Sequence, residues 1–361
     1  MRIGIPAEIM NSESRMAATP ASVSTLVQDG HEVFIQAGAG VGASFQDEEF
    51  KQAGATVLDS AQEVWETAQL VLKVKEPLEE EYGYLREDLV LFTYLHLAAS
   101  KPLTQALIDS GCTSLAYETV TDKNGGLPLL TPMSQVAGRL AVIEGAHHLM
   151  STQGGRGVLV PGVPGTKPAR VVVIGGGQVG ASAVAMATGL RAEVTVLDLD
   201  PQILQRFDDQ YQGRVRTQIS DPVTLHEELL DADLVVGAVL IPGAAAPKLV
   251  TEAMVKDMKP GAVLVDVAID QGGCFENSKK TTHDDPTYKV HDTLFYCVAN
   301  MPGAVANTST RALTTATLRY VRDIASEGVD GAFERFAGLR DGLMTRGGRL
   351  LSDPVREALE L

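Results

Sequence analysis

ARVVVIGGGQVGASAVAMATGLRAEVTVLDLD, running from Ala169 to Asp200, is the stretch whose reading decides the fold. Val171-Val172-Val173-Ile174 is a short β-branched run of the kind that makes a strand buried in a parallel sheet. It passes directly into Gly175-Gly176-Gly177-Gln178-Val179-Gly180, which fits G-x-G-x-x-G. Small and apolar residues from Ala181 to Leu190 have helical composition, and Glu193-Val194-Thr195-Val196-Leu197 makes a second strand ending at Asp198, eighteen residues past Gly180. Each glycine has a mechanical reason: Gly175 permits the tight turn, Gly177 lets the backbone approach a pyrophosphate, and Gly180 lets the helix lie close on the strand. The helix N-terminus offers free N–H groups and partial positive charge to the phosphates. A carboxylate at Asp198 accepts hydrogen bonds from an adenosine ribose and repels a 2′-phosphate, which favours NAD over NADP. A glycine motif alone is weak evidence. With the strand before it, the helix after it and the acid at this distance, it reads as a dinucleotide-binding unit.

Bulk properties bound the rest. A chain of 361 residues is expected to form two domains, since single cores stop growing beyond about 250–300 residues. With 45% hydrophobic and 21% charged residues the composition is that of an ordinary globular protein. A formal net charge of −16 argues against nucleic acid and anionic membranes as partners, and requires locally placed cations for any anionic substrate. Met1-Arg2-Ile3-Gly4-Ile5-Pro6 enters a strand at once, so no signal peptide is expected, and no apolar run reaches the roughly 18 residues of a membrane helix. Cys112, Cys274 and Cys297 are widely spaced and form no C-x-x-C, which fits reduced thiols in a cytoplasm.

Residues 1–130 alternate apolar runs with helical stretches. Ile3-Gly4-Ile5, Glu32–Ile35, Leu70–Val74, Leu89–Phe92 and Ser114–Tyr117 read as strands; Ala21–Asp29, Asp47–Ala53, Ala61–Thr67 and Lys101–Ser110 read as helices. That alternation implies a second α/β domain whose ligands gather at the carboxyl ends of its strands. Arg15, Lys75 and His96 each stand at or beyond such an end. A guanidinium with an ammonium is a receptor for a small carboxylate, and an imidazole suits proton transfer near neutrality. Taken singly, Arg15 and Lys75 also read as solvated charges and His96 as a core histidine.

Thr131-Pro132-Met133-Ser134 looks like a helix start, and Gln135 to Met150 reads as the helix crossing to the second domain. His147 and His148 are adjacent, point to different faces, and make a poor metal pair. Beyond Asp198, strands are expected at Ala232–Leu240, Ala262–Ile269 and Leu294–Val298, their ends forming a rim for the nicotinamide. Asp270 is the carboxylate at that rim; it reads equally as an acid/base, as a holder of water, or as an Asx-turn residue before a glycine pair. Thr281-Thr282-His283-Asp284-Asp285-Pro286 reads as a loop, not a metal site. Asn307-Thr308-Ser309-Thr310 is expected to cap a helix running to about Ser326, and Gly328–Leu361 reads as helical, broken at Gly347-Gly348, packing back on the first domain. The expected architecture is α/β with two doubly wound domains: a Rossmann dinucleotide-binding domain over 131–306, inserted in a discontinuous substrate domain of 1–130 and 307–361.

The combined motifs resemble the NAD-dependent alanine dehydrogenases, and more distantly the NAD-binding subunit of proton-translocating nicotinamide nucleotide transhydrogenases. The resemblance rests on Glu13–Pro20, Val74-Lys75-Glu76-Pro77, Tyr94–Ala98, the glycine motif, Ala238–Ala244, Asp266–Gly273 and Asn300-Met301-Pro302-Gly303, and runs essentially the full length. It implies reversible oxidative deamination of L-alanine to pyruvate and ammonia with NAD, in a homohexamer. It implies that Arg15 and Lys75 bind the substrate carboxylate and carbonyl oxygen, that His96 is the general acid/base, and that Asp270 serves hydration and proton transfer. It places Ser134, Gly175, Gly177, Gln178, Val179, Gly180, Asp198, Val239, Leu240, Ile269, Asn300 and Met301 against the dinucleotide. Thr131–Arg139 stands where the transhydrogenase relatives carry an Arg-Gln-Asp loop, and no membrane span is present to match their partners. The competing expectation is an NAD(H)-binding subunit without free-standing turnover.

Overall fold

The β-branched runs do become strands, and the order in which they pair decides where ligands can gather. A computed structural model describes residues 1–239 and 246–360. Before the linking helix come β1 (Arg2–Ile5), β2 (Glu32–Gln36), β3 (Thr56–Leu58), β4 (Leu70–Leu72), β5 (Val90–Thr93) and β6 (Thr113–Ala116). After it come β7 (Arg170–Ile174), β8 (Glu193–Asp198), β9 (Val215–Ile219), β10 (Leu234–Gly237), β11 (Val263–Asp266), β12 (Thr287–Val290) and β13 (Thr293–Tyr296). The chain closes with β14 (Leu343–Arg346) and β15 (Arg349–Leu350). It divides into two compact units, Met1–Met133 with the chain from Gly303 on, and Ser134–Pro302. The helix Thr131–His148 carries the chain from the first to the second.

In the first unit the sheet order is β15-β14-β6-β5-β4-β1-β2-β3. Its strands from β3 to β6 pair in parallel, while β14 lies antiparallel on β6. The second unit orders its strands β12-β13-β11-β10-β7-β8-β9, parallel except for the β12 edge. Both parallel runs therefore follow the doubly wound order 3-2-1-4-5-6, which reverses direction once, between β1 and β4 and between β7 and β10. A crevice opens outside the carboxyl ends of the strands at such a reversal. The architecture is α/β throughout, as the alternating pattern implies.

Local chemistry explains the elements. Val171, Val172, Val173 and Ile174 are fully buried because β7 has a parallel neighbour on each side and helices on its faces. Thr19 caps Pro20–Gln28 in a reciprocal box with Ser22, and Ser60 does the same for Ala61–Thr67 with Glu63. Apolar residues of β7, β10, β11 and β13 pack with Leu225, Leu229, Met254 and Val255 into the core of the second unit.

Several readings are corrected. The strands of the second unit end earlier than expected, at Gly237, Asp266 and Tyr296; the one at Asp266 stops because Val267–Gln271 turns into a 3₁₀ helix capped by the Asp266 carboxylate, which accepts from Ala268 N. Beyond Gly328 the chain is not all helix: Gly347 and Gly348, both at positive φ, form the two-residue turn of the β14–β15 hairpin. The long helix Ala306–Arg335 is bent at Gly328, and Asn307 does not cap it; its amide donates to Ala43 O at 2.6 Å instead. Among the described residues no helix is long and apolar enough to cross a membrane, and no group of metal-ligating side chains is gathered.

Candidate active site

Arg15, Lys75 and His96 leave the first sheet from β1, β4 and β5, two of which flank the reversal point. Arg15 is 3% exposed and is held by Glu13: its Nε donates to Oε1 at 2.7 Å, its backbone N–H to the same oxygen at 3.0 Å, and Nη2 pairs with Oε2. Nη1 reaches Met133 Sδ at 3.1 Å. Burial works against the guanidinium charge, but the Glu13 hydrogen bonds and charge outweigh it and hold Arg15 firmly protonated. Lys75 is half-buried, and among the described residues no carboxylate lies within ion-pairing distance of its Nζ. It lies close enough to His96 for its charge to oppose protonation of the ring.

His96 sits in left-handed backbone, φ 48° and ψ 37°. For a residue other than glycine that costs roughly 1–2 kcal/mol. Glu118 compensates: its carboxylate accepts the N–H of His96 at 2.7 Å and that of Leu95 at 3.2 Å. Hydrogen bonds to a charged group are worth about 1.5–3 kcal/mol each, so the pair outweighs the strain. The ring is fixed as well. Its Nδ1 lies 3.1 Å from Glu76 Oε2, and the Tyr94 ring stacks on it with centroids 6.0 Å apart. The His96 side chain keeps 44% of its surface, and its partial desolvation disfavours the imidazolium, but the Glu76 hydrogen bond and the Glu118 and Glu76 charges prevail, so the His96 pKa is raised. Tyr94 is itself buried and donates to Leu129 O at 2.6 Å.

The sequence reading assigned no role to the carboxylates that hold this set. Glu8, Glu13, Glu76 and Glu118 give Arg15, Lys75 and His96 their positions, yet nothing in spacing sets them apart from the other acids of a chain with 46. Only the positions of Glu13, two residues before Arg15, and Glu76, immediately after Lys75, were usable signals.

The second unit builds its own constellation at the β7/β10 reversal. Gly175 lies at φ 95°, and a Cβ there would meet Ala238 O at 2.9 Å. Gly177 precedes the helix Gln178–Gly189 without a side-chain cap, and a Cβ on it would meet nothing within 4 Å. Gln178 is exposed and Val179 half-buried in the first turn. Asp198, ending β8, accepts Gly176 N at 2.6 Å and Asp200 N at 2.9 Å, so its carboxylate pins the glycine loop. Val239 follows β10 and its Cγ2 lies by Gly175; Leu240 falls outside the described residues. Ile269 is buried in the 3₁₀ turn Val267–Gln271, which also carries the exposed Asp270. Asp270 Oδ2 accepts Asn300 N at 3.4 Å, and Oδ1 lies 3.9 Å from Lys280 Nζ. Asn300, at φ 56°, is a second left-handed residue; Met301 beside it is buried and opens the turn Met301–Val305. Ser134, half-buried, lies in the first turns of Thr131–His148.

A doubly wound sheet with a glycine fingerprint in one unit, and a buried arginine, a lysine and a restrained imidazole at the strand ends of another, define the class of two-domain nucleotide-binding oxidoreductases. The chain belongs to the alanine dehydrogenase/PNT family: residues 4–137 match "Alanine dehydrogenase/PNT, N-terminal domain" and 141–353 match "Alanine dehydrogenase/PNT, C-terminal domain". It is 58% identical to an alanine dehydrogenase of Mycolicibacterium smegmatis, over all of this chain and 97% of that one. An alanine dehydrogenase of Mycobacterium tuberculosis is 57% identical over 98% of this chain and 96% of its own. Among solved structures, an L-alanine dehydrogenase superposes with TM-score 0.97 at 48% identity, covering 100% of this chain and 99% of that one. A transhydrogenase from Sinorhizobium meliloti shares the fold, with TM-score 0.83 at 24% identity over 98% of this chain and 99% of its own.

Proposed function

We propose that this chain catalyses the reversible oxidative deamination of L-alanine to pyruvate and ammonia with NAD. The observation that carries the reading is the gathering of Arg15, Lys75 and His96 at one sheet's carboxyl edge, in a chain akin over its full length to proteins named alanine dehydrogenase. The first unit then serves as the substrate domain and the second as the dinucleotide domain.

The second unit suits NAD. The open side of Gly177 leaves room for a pyrophosphate, the uncapped helix start presents its amides, and each Asp198 oxygen keeps a lone pair for the ribose beyond its backbone bond. Gly175, Gly177, Gln178, Val179 and Gly180 would hold the phosphates; Ser134, Val239, Leu240, Ile269, Asn300 and Met301 would hold the remainder. When bound, NAD supplies the acceptor for the hydride leaving Cα of the amino acid. Arg15 and Lys75 hold the carboxylate and later the carbonyl oxygen. An ionised Glu76 can only accept, so His96 carries a proton on Nδ1 and exchanges substrate protons at Nε2. Asp270 orients the water that adds at Cα and takes its proton.

The direct test is a rise in the reduced-nicotinamide absorbance with purified chain, L-alanine and NAD at alkaline pH. Tight NADH binding with no such rise would instead identify an NAD(H)-binding subunit without its own turnover. The assembly that the motif resemblance implies is a homohexamer, read by mass photometry, and the three buried cysteines, none in a disulfide, fit a reducing cytoplasm.

Two further outcomes are expected. Asp198→Ala removes the carboxylate that faces a 2′-phosphate and also frees Gly176 N, so discrimination between NAD and NADP should narrow by about tenfold or more while NADH binding weakens. Unchanged cofactor preference would place the discriminating group elsewhere. Glu76→Gln removes the charge that favours the imidazolium, which lowers the His96 pKa; the basic form then persists to lower pH. The acid limb of kcat/KM for alanine oxidation should move to lower pH, and a stationary limb would dissociate it from His96.

A further inference from the structure

We infer that Glu8 is a positioning residue that ties the segment bearing Arg15 to the turn bearing Lys75. The inference rests on the alanine dehydrogenase reading and names a member of that site which sequence motifs do not single out.

Glu8 follows β1 by three residues, and its side chain is 2% exposed. Both oxygens reach across to the chain leaving β4: Oε1 accepts Val74 N at 2.6 Å and Oε2 accepts Lys75 N at 3.3 Å. Oε2 also lies 3.2 Å from Lys73 Nζ. On its own side, Ala7 N donates to Gln36 Oε1 at 2.9 Å, so the segment holding Glu8 is fastened to the end of β2. Glu8 lies near enough to Arg15 and Glu13 to couple electrostatically with both. A single carboxylate thus touches the backbone of one proposed carboxylate-binding residue and the field of the other.

Stability alone does not account for this group. Lys73, 1% exposed, is already paired with Glu81 at 2.9 Å, and Glu81 is anchored by Leu78 N at 3.0 Å. A buried ion pair seldom repays its desolvation, and a second buried carboxylate on the same lysine adds a further cost. Burial does push the Glu8 carboxyl above the ordinary range, against the opposing pull of Lys73 and Val74 N–H. What the second carboxylate adds is two backbone hydrogen bonds at the residue before Lys75 and at Lys75 itself. With these bonds the ammonium leaves a fixed Cα, and its reach toward a substrate carboxylate starts from one place.

Glu8→Gln keeps the shape and one acceptor oxygen while removing the charge; Glu8→Ala removes both acceptors. In the full-length enzyme, KM for L-alanine and for pyruvate should rise roughly tenfold in Glu8→Gln and further in Glu8→Ala, with kcat changed much less. NADH affinity, measured by fluorescence, should stay within about twofold in both variants, since the glycine motif lies in the other unit. A merely structural role predicts something different: a lower melting temperature and a smaller active fraction, with KM unmoved in the molecules that fold. That result in Glu8→Gln would overturn the inference. Should the wild-type chain fail to oxidise alanine, the proposed function falls, and positioning is read instead from amide exchange at Val74 and Lys75. Faster exchange there in Glu8→Gln supports the tie, and unchanged exchange removes it.

Discussion

His96→Ala should reduce alanine-dependent NADH formation by about 10²–10⁴-fold while NADH binding remains close to that of the unmodified chain. The size of the loss follows from how many restraints converge on this ring. Glu76 fixes which nitrogen carries the proton, Tyr94 packs one face, and Glu118 fastens the backbone that presents it. Among the described residues no other histidine stands at the carboxyl edge of the first sheet, so no neighbouring imidazole can substitute. Alanine in left-handed backbone is strained, so the variant also loosens the turn at residue 96. His96→Asn separates the two effects, because asparagine tolerates that backbone far better and still cannot exchange protons near neutral pH. Both variants should lose turnover alike. Substantial activity in His96→Asn would mean that the ring's acid–base chemistry is dispensable and that position 96 matters only for its backbone. Binding of NADH should survive in both, since the glycine loop and Asp198 belong to the other unit.

What sequence could and could not disclose follows from the range of each interaction. The β7-loop-helix-β8 unit was legible because its determinants are local: β-branched residues for a central strand, glycines at fixed offsets, an acid at the next strand's end. The helices Ala61–Thr67 and Lys101–Ser110 were legible for the same reason, their serine caps lying one residue before the first turn. Thr56–Leu58 was missed because three residues with an exposed edge carry almost no alternation. β14 and β15 were missed because their partners, β6 and each other, are set by a hairpin whose glycines also read as a helix break. The doubly wound order was expected from the alternating pattern and the glycine motif, but the antiparallel edges β12, β14 and β15 were not, being a matter of which distant segments pair. At the candidate site the cation–imidazole set could be named from residue type and strand ends. The more distant of its supporting carboxylates could not: Glu118 lies 22 residues from His96, and Glu8 66 residues from Val74. Left-handed backbone at His96 and Asn300 was equally hidden: both residue types tolerate it, but whether they adopt it is decided by long-range hydrogen bonds such as that from His96 N to Glu118.

Gly180→Ala should destabilise the fold and Gly177→Ala should leave it intact, yet both should weaken cofactor binding. A Cβ at Gly180 would fall 1.8 Å from Gly175 O and 2.9 Å from its carbonyl carbon, and both are backbone atoms of a turn that Gly175 holds at φ 95°. The helix Gln178–Gly189 must then lift off β7. On its other flank that helix meets Gly138 of Thr131–His148, where a Cβ would already lie 2.1 Å from Val179 O, so sliding sideways meets a second close approach. Overpacking of this kind costs about 3 kcal/mol or more, because neither backbone can yield without breaking the turn. Melting temperature should fall and NADH binding should be lost with it. Gly177 is different: its φ of −66° suits any residue, and an added methyl meets nothing within 4 Å. Gly177→Ala should melt like the unmodified chain, yet its methyl occupies the open side of the loop against which a pyrophosphate must come to rest. NADH affinity should fall by at least about tenfold, read by fluorescence titration beside a thermal melt. If Gly177→Ala binds NADH as tightly as the unmodified chain, the phosphates do not lie on this loop, and the assignment of the second unit to the dinucleotide fails with it.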